Sequence, residues 1–156
     1  MTRCGRVVFD TGALVGAALR VTSVADRALS LALRTGVVCL CEQSAESLRS
    51  VLRKPRFDTY MGRRARMAFV DVLLGNAWMC PLTDADWAKS RHSRRDPGSN
   101  LVLALAGVAE ADVIVGSAPG LVARKVWRGI RIVTAAEFLD QFVQAGPTRI
   151  DQFARN

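Results

Sequence analysis

Two aspartates stand where an acidic site could form. Asp10 follows the apolar run Val7–Phe9 directly, and Asp96 lies in the turn-like sequence RDPGS. Asp-Thr-Gly at residues 10–12 is also the motif of aspartic proteases, in which two such loops share one proton between their carboxylates. The chain contains no second Asp-Thr-Gly. Asp10 therefore has three interpretations: half of a protease dyad, a metal ligand, or the cap of a helical turn that begins at Thr11.

The elements around Asp10 alternate in type and favour an α/β fold. Short continuous apolar runs predict buried strands at residues 6–9, 37–41, 77–80, 112–115 and 129–133. Helices are predicted between and after them, at residues 22–36, 43–54, 59–74, 100–110, 120–126 and 135–143. Such alternation indicates βαβ units and a parallel sheet covered on both faces. We expect a three-layer α/β/α sandwich with a mainly parallel central sheet of about five strands, which counts against the all-β protease fold.

Some helix signals are specific enough to check residue by residue. Ser23 with Asp26 three residues later resembles a capping box at the start of the helix predicted at 22–36. In the helix predicted at 59–74, Arg63, Arg64 and Arg66 fall mostly outside the apolar side. That apolar side is formed by Met61, Ala65, Ala68, Phe69, Val72 and Leu73. Polar residues 81–99 look like an exposed connection with one turn of helix around Trp87.

Length and composition are typical of one globular domain. The chain has 156 residues, of which half are apolar; we expect a single domain over residues 1–146 and a C-terminal tail over residues 147–156. No apolar run approaches the roughly 20 residues of a membrane span, and the start lacks a signal-peptide pattern. We therefore expect a cytoplasmic protein without membrane contact. The four cysteines lie in or beside apolar stretches and the single histidine completes no Cys/His cluster, so disulfides and structural zinc are not expected.

The strongly basic charge has two interpretations. The formal net charge is +8 and the sequence pI is about 10.3, which either serves solubility or attracts a polyanion. The basic residues cluster in three stretches: Arg49, Arg53, Lys54 and Arg56; Arg63, Arg64 and Arg66; and Lys89, Arg91, Arg94 and Arg95. The candidate nucleic-acid contacts among them are Arg53, Lys54, Arg91, Arg94 and Arg95.

Open α/β sheets bind ligands at the carboxyl ends of their strands, and three features of the sequence would meet there. They are Asp10, the turn at residues 116–120 and the loop that enters a helix at Asn100, so Asp10 and Asp96 could approach one another. Adjacent carboxylates repel unless a cation joins them, and Mg²⁺ takes one or two protein carboxylates together with water and substrate phosphate. Such a pair would support metal-assisted attack on a phosphodiester. The plainer interpretation makes Asp96 a β-turn residue, with Ser99 or Asn100 capping the next helix.

In this order the elements resemble a PIN domain, the nuclease fold of many bacterial toxin ribonucleases, and most closely its subgroup of toxin components. The resemblance runs from Val7 to Val143 and is carried by four segments: RVVFDTGALVGAAL, SLRSVLRKPRF, RDPGSNLVLALAGVAEADVIVGSAPGL and GIRIVTAAEFLDQF. It implies a ribonuclease whose Mg²⁺ or Mn²⁺ lies in a cluster of acidic residues. It also implies RNA, an antitoxin-like protein and a second copy of the chain as partners.

Most acidic positions of that family carry neutral residues here. Asp10 matches the first aspartate, and Asp96 matches the first aspartate of the third motif. The substituted positions are Gly12 for asparagine, Ser47 for the helix glutamate, and Ser99, Ala118 and Gly120 for aspartates. Glu46 neighbours Ser47 but lies about 100° away around the helix. It is therefore expected to form an ion pair with Arg49 rather than to bind a metal.

Three hypotheses follow from these substitutions. In the first, the chain is a PIN-fold protein that is catalytically weak or inactive, holds no cofactor or a weakly bound Mg²⁺ or Mn²⁺, and binds RNA or a partner protein. In the second, it is an active ribonuclease that uses Asp10 and Asp96 with polar ligands such as Ser99 and Asn100. In the third, it is a scaffold whose groove holds an antitoxin-like peptide without contacting RNA.

Overall fold

A computed structural model describes residues 4–89 and 97–143 of the chain. The strands are β1 (Gly5–Phe9), β2 (Gly36–Leu40), β3 (Trp78–Met79), β4 (Val113–Val115), β5 (Val126–Trp127) and β6 (Ile130–Val133). The helices are α1 (Thr11–Leu19), α2 (Val24–Thr35), α3 (Glu42–Leu52), α4 (Arg63–Asn76), α5 (Asp84–Lys89), α6 (Pro97–Val108), α7 (Pro119–Val122) and α8 (Ala135–Val143). A 3-10 turn covers Pro55–Phe57. The predicted tail, residues 147–156, lies outside the described residues.

The strands form one twisted sheet in the order β3-β2-β1-β4-β6-β5. All neighbouring strands are parallel except β5, which runs antiparallel to β6. Successive side chains of a strand point to opposite faces, so Val7 belongs to the apolar layer of α1, α2 and α8, whereas Val8 belongs to that of α6. The predicted three-layer α/β/α fold with a mainly parallel sheet is confirmed, with six strands in the described part rather than about five.

Residues 11–19 form a complete helix, α1, for which the sequence suggested a single helical turn. The segment TGALVGAAL is apolar almost throughout and contains two glycines, so it shows no polar face that a period of 3.6 could reveal. Ala13, Leu14, Ala17 and Ala18 are buried, and the helix packs against α2 and α3. Burial on several sides therefore stabilises a helix whose own sequence pattern is weak.

The helix predicted at residues 120–126 was wrong in its second half. Helix α7 ends at Val122, and Val126–Trp127 forms the sixth strand, paired with Ile130 and Arg131 of β6. Lys125 between them has a positive φ of 62°, which turns the chain out of the helix. A strand of two residues is too short to show alternation, so the sequence pattern did not reveal it.

Two other local predictions were also wrong. Helix α6 begins at Pro97, where the missing N–H of proline costs nothing, so Ser99 and Asn100 lie inside the helix and do not cap it. In α4 the buried face consists of Arg66, Val70 and Leu73. Arg66 thus lies inside the protein, where it donates to the carbonyl oxygen of Met61 and to Asp58, polar contacts that apolar periodicity does not detect.

Several sequence signals were correct. The hydroxyl of Ser23 accepts a hydrogen bond from the Asp26 N–H at 3.2 Å and caps α2. The four cysteines are buried free thiols. Burial, followed by the neighbouring Cys80, raises the pKa of Cys39 to about 11, so this thiol remains protonated at neutral pH. Within the described residues, no helix is both long and apolar enough to cross a membrane.

Candidate active site

Asp10 lies where the order of the strands reverses. Strand β1 pairs with β2 on one side and with β4 on the other, which is the position at which open parallel sheets form their ligand crevice. Asp10 follows β1, and its N–H donates to the carbonyl oxygen of Val115 at the end of β4 at 3.0 Å. The residues after β1 and those after β4 are therefore held side by side at the carboxyl edge of the sheet.

The carboxylate of Asp10 is occupied by donors of the protein itself. It is 5% exposed. Its Oδ1 accepts from the Ala13 N–H at 2.7 Å and from the Ser117 hydroxyl at 2.9 Å, while its Oδ2 accepts from the N–H groups of Ser117 at 2.7 Å and Ala118 at 3.1 Å. Asp10 thus caps α1, as one interpretation of the sequence predicted, and also joins β1 to the turn after β4. A carboxylate with two oxygens has about four acceptor positions, so these four donors use its capacity.

Gly12 and Ser117 fit together at this corner. A Cβ on Gly12 would collide with the hydroxyl oxygen of Ser117, so the hydroxyl can reach Asp10 only because residue 12 has no side chain. In the resemblance that aligns Ala118 with an aspartate, Ser117 falls on the glycine of the Thr-Gly-Asp-x-Asp turn. The family pattern therefore has a side chain at position 12 and none at position 117, and this chain has the reverse. The two positions form a sterically coupled pair, because a side chain on residue 12 and the bond from the Ser117 hydroxyl to Asp10 exclude one another.

The remaining substituted positions differ from this coupled pair. Ala118 contributes its backbone N–H to Asp10. Gly120 is exposed in α7, and a Cβ there would meet nothing within 4 Å, so packing does not exclude an aspartate at that position. Ser47 is half-buried on α3. Ser99 is half-buried and Asn100 buried within α6.

Four of the predicted site residues lie outside the described residues. They are Asp96, Arg91, Arg94 and Arg95. The predicted approach of Asp96 to Asp10 and the predicted nucleic-acid contacts of the three arginines therefore stay predictions.

The described part of the site does not fit a preformed metal centre. It contains no group of three or more His, Cys, Asp or Glu residues placed to hold a metal ion. Mg²⁺ requires oxygen ligands with free lone pairs in nearly octahedral geometry. The oxygens of Asp10 face N–H and O–H donors, whose positive hydrogens would repel a cation. The chemistry of these donors suits a structural carboxylate better than a ligand.

The predicted basic cluster formed by residues 49–56 and 63–66 is partly neutralised by nearby carboxylates. Glu46 lies 3.7 Å from Arg49, as the helical spacing predicted, and also 3.7 Å from Arg53. Arg66 is fully buried and donates to Asp58 at 2.8 Å. Lys54 is exposed. The cluster therefore offers less free positive charge than its sequence suggests.

An open groove of about 740 Å³ lies beside α3. Its lining combines the acidic residues Glu42 and Glu46 with apolar surface from Val51, Trp87 and Leu101. Ser47 is also part of the lining. The groove is thus a concave surface on which acidic and apolar groups lie together.

The architecture and the aspartate at the switch point define an α/β protein with a nuclease-like fold. The family model of the PIN domain matches residues 6–117, most of the chain, and the chain belongs to the PIN domain family. The match ends at Ser117, so it does not cover Ala118 and Gly120. A search of curated proteins found no match for the chain.

Sequence reasoning missed the role of Ser117. The segment GSAPG was interpreted as a turn, and Ser117 was not singled out within it. A signal was present, because a hydroxyl residue just after a buried strand can reach the carboxyl end of the neighbouring strand in a parallel sheet. Using that signal requires knowing that β1 and β4 are neighbours, which spacing in the sequence does not show.

Proposed function

We propose that this PIN-domain protein acts by binding RNA and does not cleave RNA through a bound metal ion. The observation that carries the proposal is the state of Asp10, whose carboxylate is held by Ala13, Ser117 and Ala118. The family positions that would add carboxylates carry Gly12, Ser47, Ser99, Ala118 and Gly120. The net charge of +8 supports attraction to a polyanion.

An active ribonuclease is the alternative, and it makes a specific demand on the structure. To bind Mg²⁺, Asp10 would have to lose its hydrogen bonds from Ser117 and Ala118. Each of these is a hydrogen bond to a charged group. Such bonds contribute about 1.5–3 kcal/mol each. The described residues supply no second family carboxylate to offset that loss, so any additional ligand would have to come from Asp96 or the substrate.

Cleavage and binding of one labelled RNA separate these possibilities. The probe is a fluorescent single-stranded oligouridylate, with cleavage followed on a gel in Mn²⁺ and binding followed by anisotropy at several salt concentrations. We expect binding that weakens as salt rises, with intact RNA. Cleavage by the purified protein that disappears in a folded Asp10→Asn variant would overturn the proposal. Absence of RNA binding at low salt would also overturn it.

Restoring the family's acidic positions provides a positive control. The variant carries Ser47→Glu, Ser99→Asp, Ala118→Asp and Gly120→Asp, together with Gly12→Asn and Ser117→Gly so that the new side chain does not clash. Mn²⁺ binding is measured by calorimetry for it and for the wild type. We expect a heat of binding in the restored variant and none in the wild type. Equal Mn²⁺ affinity in both proteins would show that the substitutions did not remove the metal site.

A second candidate function is binding of a partner protein, which the groove beside α3 favours. Glu42 would pair with a cationic side chain, while Trp87 would offer the face of its ring to the same group. An arginine-containing peptide titrated against the wild type and a Glu42→Gln variant tests this function. Weaker binding of the variant would support it, and equal binding would contradict it.

A further inference from the structure

The outer edge of the sheet carries a further group of cations, which lies outside the three basic stretches named above. Residues 123–131 contain four cationic side chains and no acidic one. These four, which we call the edge cations, are Arg124, Lys125, Arg128 and Arg131. All are exposed, and no carboxylate of the described residues lies within 4.0 Å of them. Their charge is therefore available to a ligand.

Three of the edge cations, Arg124, Lys125 and Arg128, flank the edge strand β5, and the fourth, Arg131, lies on the neighbouring strand β6 opposite Val126. Among the described residues, β5 pairs only with β6. The pairing runs from Lys125, whose carbonyl oxygen accepts from the Ile132 N–H at 2.8 Å, to the turn at Arg128 and Gly129. Three residues of extended chain span about 10 Å. Arg124, the first of the edge cations, follows the short helix α7, which begins just after the turn that binds Asp10. The edge cations therefore start near the carboxyl edge of the sheet and continue away from it.

The backbone at two of these cations is unusual for their residue type. Lys125 has φ 62° and Arg128 has φ 48°, both in the left-handed region. Arg128 and Gly129 (φ 79°) are the two central residues of a hairpin turn with positive φ at both positions, where asparagine-glycine is preferred. For a residue other than glycine, the backbone conformation in this region is less favourable by roughly 1–2 kcal/mol. Turn geometry therefore does not by itself favour lysine or arginine at either bend.

The surroundings of the edge cations indicate which kind of anion they suit. The guanidinium of Arg128 lies 4.6 Å from the ring centre of Trp127, which orients it. Trp127 itself is only 7% exposed, so the hairpin presents no free aromatic face for stacking a base or for anchoring in a membrane interface. Guanidinium groups bind phosphate oxygens through two parallel hydrogen bonds. A row of such groups without an aromatic platform suits a phosphodiester backbone.

We propose that the edge cations bind the phosphate backbone of an RNA strand without reading its bases. This inference rests on the proposed function of RNA binding and adds where on the molecule the strand lies. The strand would follow β5 and pass from there toward the corner of Asp10. Binding of this kind is electrostatic, so it weakens in proportion to the number of phosphates contacted as salt rises.

The test compares two variants with equal net charge. The edge variant carries Arg124→Gln, Lys125→Asn, Arg128→Asn and Arg131→Gln; asparagine suits both bends, so the turn keeps its preferred geometry. The control variant carries Arg27→Gln, Arg56→Gln, Arg63→Gln and Arg64→Gln, which are exposed cations outside the predicted nucleic-acid contacts. Each lowers the formal charge from +8 by 4, to +4. Thermal melting by circular dichroism checks that both are folded, and anisotropy of the labelled oligouridylate measures affinity across a salt series.

We expect the edge variant to bind at least about tenfold more weakly at low salt and the control variant less than about threefold more weakly. Each phosphate contact on a single strand contributes about 0.7 to the magnitude of the slope of log K against log salt. Losing four contacts should therefore reduce the magnitude of that slope by about 3. Equal losses in both variants, or a larger loss in the control, would overturn the inference. If the wild type itself does not bind RNA, the proposed function fails; if it binds and the edge variant binds equally well, only this inference fails.

The single change Arg128→Asn separates binding from folding. It creates the asparagine-glycine turn, so we expect a melting temperature equal to or above that of the wild type together with an RNA affinity lowered about twofold to threefold. Unchanged affinity in a more stable variant would contradict the role of Arg128. Tighter binding of the wild type to vesicles of equal parts phosphatidylcholine and phosphatidylserine than to RNA would overturn the choice of RNA as the ligand.

Discussion

Asp10 and Arg66 are two buried charges that the described part of the chain satisfies in different ways. The carboxylate of Asp10 is held by neutral donors, three backbone N–H groups and one hydroxyl. The guanidinium of Arg66 is fully buried, yet its only carboxylate partner among the described residues, Asp58, has a side chain that is 61% exposed. Its Nε has no hydrogen-bond partner there. The hydrogen bonds of Asp10 are all made inside the fold, whereas Arg66 bonds the carbonyl oxygen of Met61 and depends on one surface residue for a carboxylate.

This difference shows what kind of carboxylate Asp10 is. A ligand carboxylate needs free lone pairs, whereas a structural carboxylate is stabilised when all of them accept hydrogen bonds. Asp10 meets the second condition, and each donor that favours its charged form also makes a cation less favourable. The Asp10 corner is therefore expected to be rigid without a metal, while the Arg66 contact is expected to be sensitive to changes outside the core.

The largest expected effect comes from the exposed partner of the buried arginine. Asp58→Ala leaves the Arg66 guanidinium buried without a carboxylate, and removing one partner of such a pair costs about 3 kcal/mol. Urea unfolding followed by circular dichroism measures the loss. Asp71→Ala, an exposed aspartate on the same α4 helix, is the control and should change the free energy of unfolding by less than about 0.5 kcal/mol.

Repeating this substitution in an Arg66→Met background tests the cause. Methionine keeps the volume and removes the buried charge, so Asp58→Ala should then cost nearly nothing. An equal cost in both backgrounds would mean that Asp58 acts on the loop around Pro55–Phe57 rather than through Arg66.

The second-largest expected effect on the free energy of unfolding concerns Asp10. Asp10→Ala removes the acceptor of three N–H groups, and we expect a loss of about 2 kcal/mol, because part of this corner can be rehydrated. Ser23→Ala is the matched control, since Ser23 caps α2 with one hydrogen bond and should cost about 1 kcal/mol. The excess of Asp10→Ala over Ser23→Ala measures the bonds to Ser117 and Ala118. No excess would mean that Asp10 acts only as a helix cap.

The sequence predicted the scaffold of this corner better than the corner itself. Continuous apolar runs located β1 and β4, and the step from Val7–Phe9 to Asp10 marked the right carboxylate, because these signals depend on neighbouring residues. The contact of Gly12 with Ser117 joins residues more than 100 positions apart, so it exists only once β1 and β4 are neighbours. The burial of Arg66 was missed for a similar reason, since a charged side chain counts as polar until its partners are known.

The smallest expected effect breaks the coupled pair at the Asp10 corner. In Gly12→Ala the new methyl group collides with the Ser117 hydroxyl, which must rotate away and lose its bond to Asp10, at a cost of about 1–2 kcal/mol. Ser117→Gly alone should cost about 1 kcal/mol, because the hydroxyl bond is lost and the loop gains freedom. If the two positions are coupled, Gly12→Ala adds little in the Ser117→Gly background, and a double-mutant cycle by urea unfolding gives a coupling energy of about 1 kcal/mol. Additive losses would mean that the two positions are energetically independent and that the hydroxyl bond does not require a glycine at position 12.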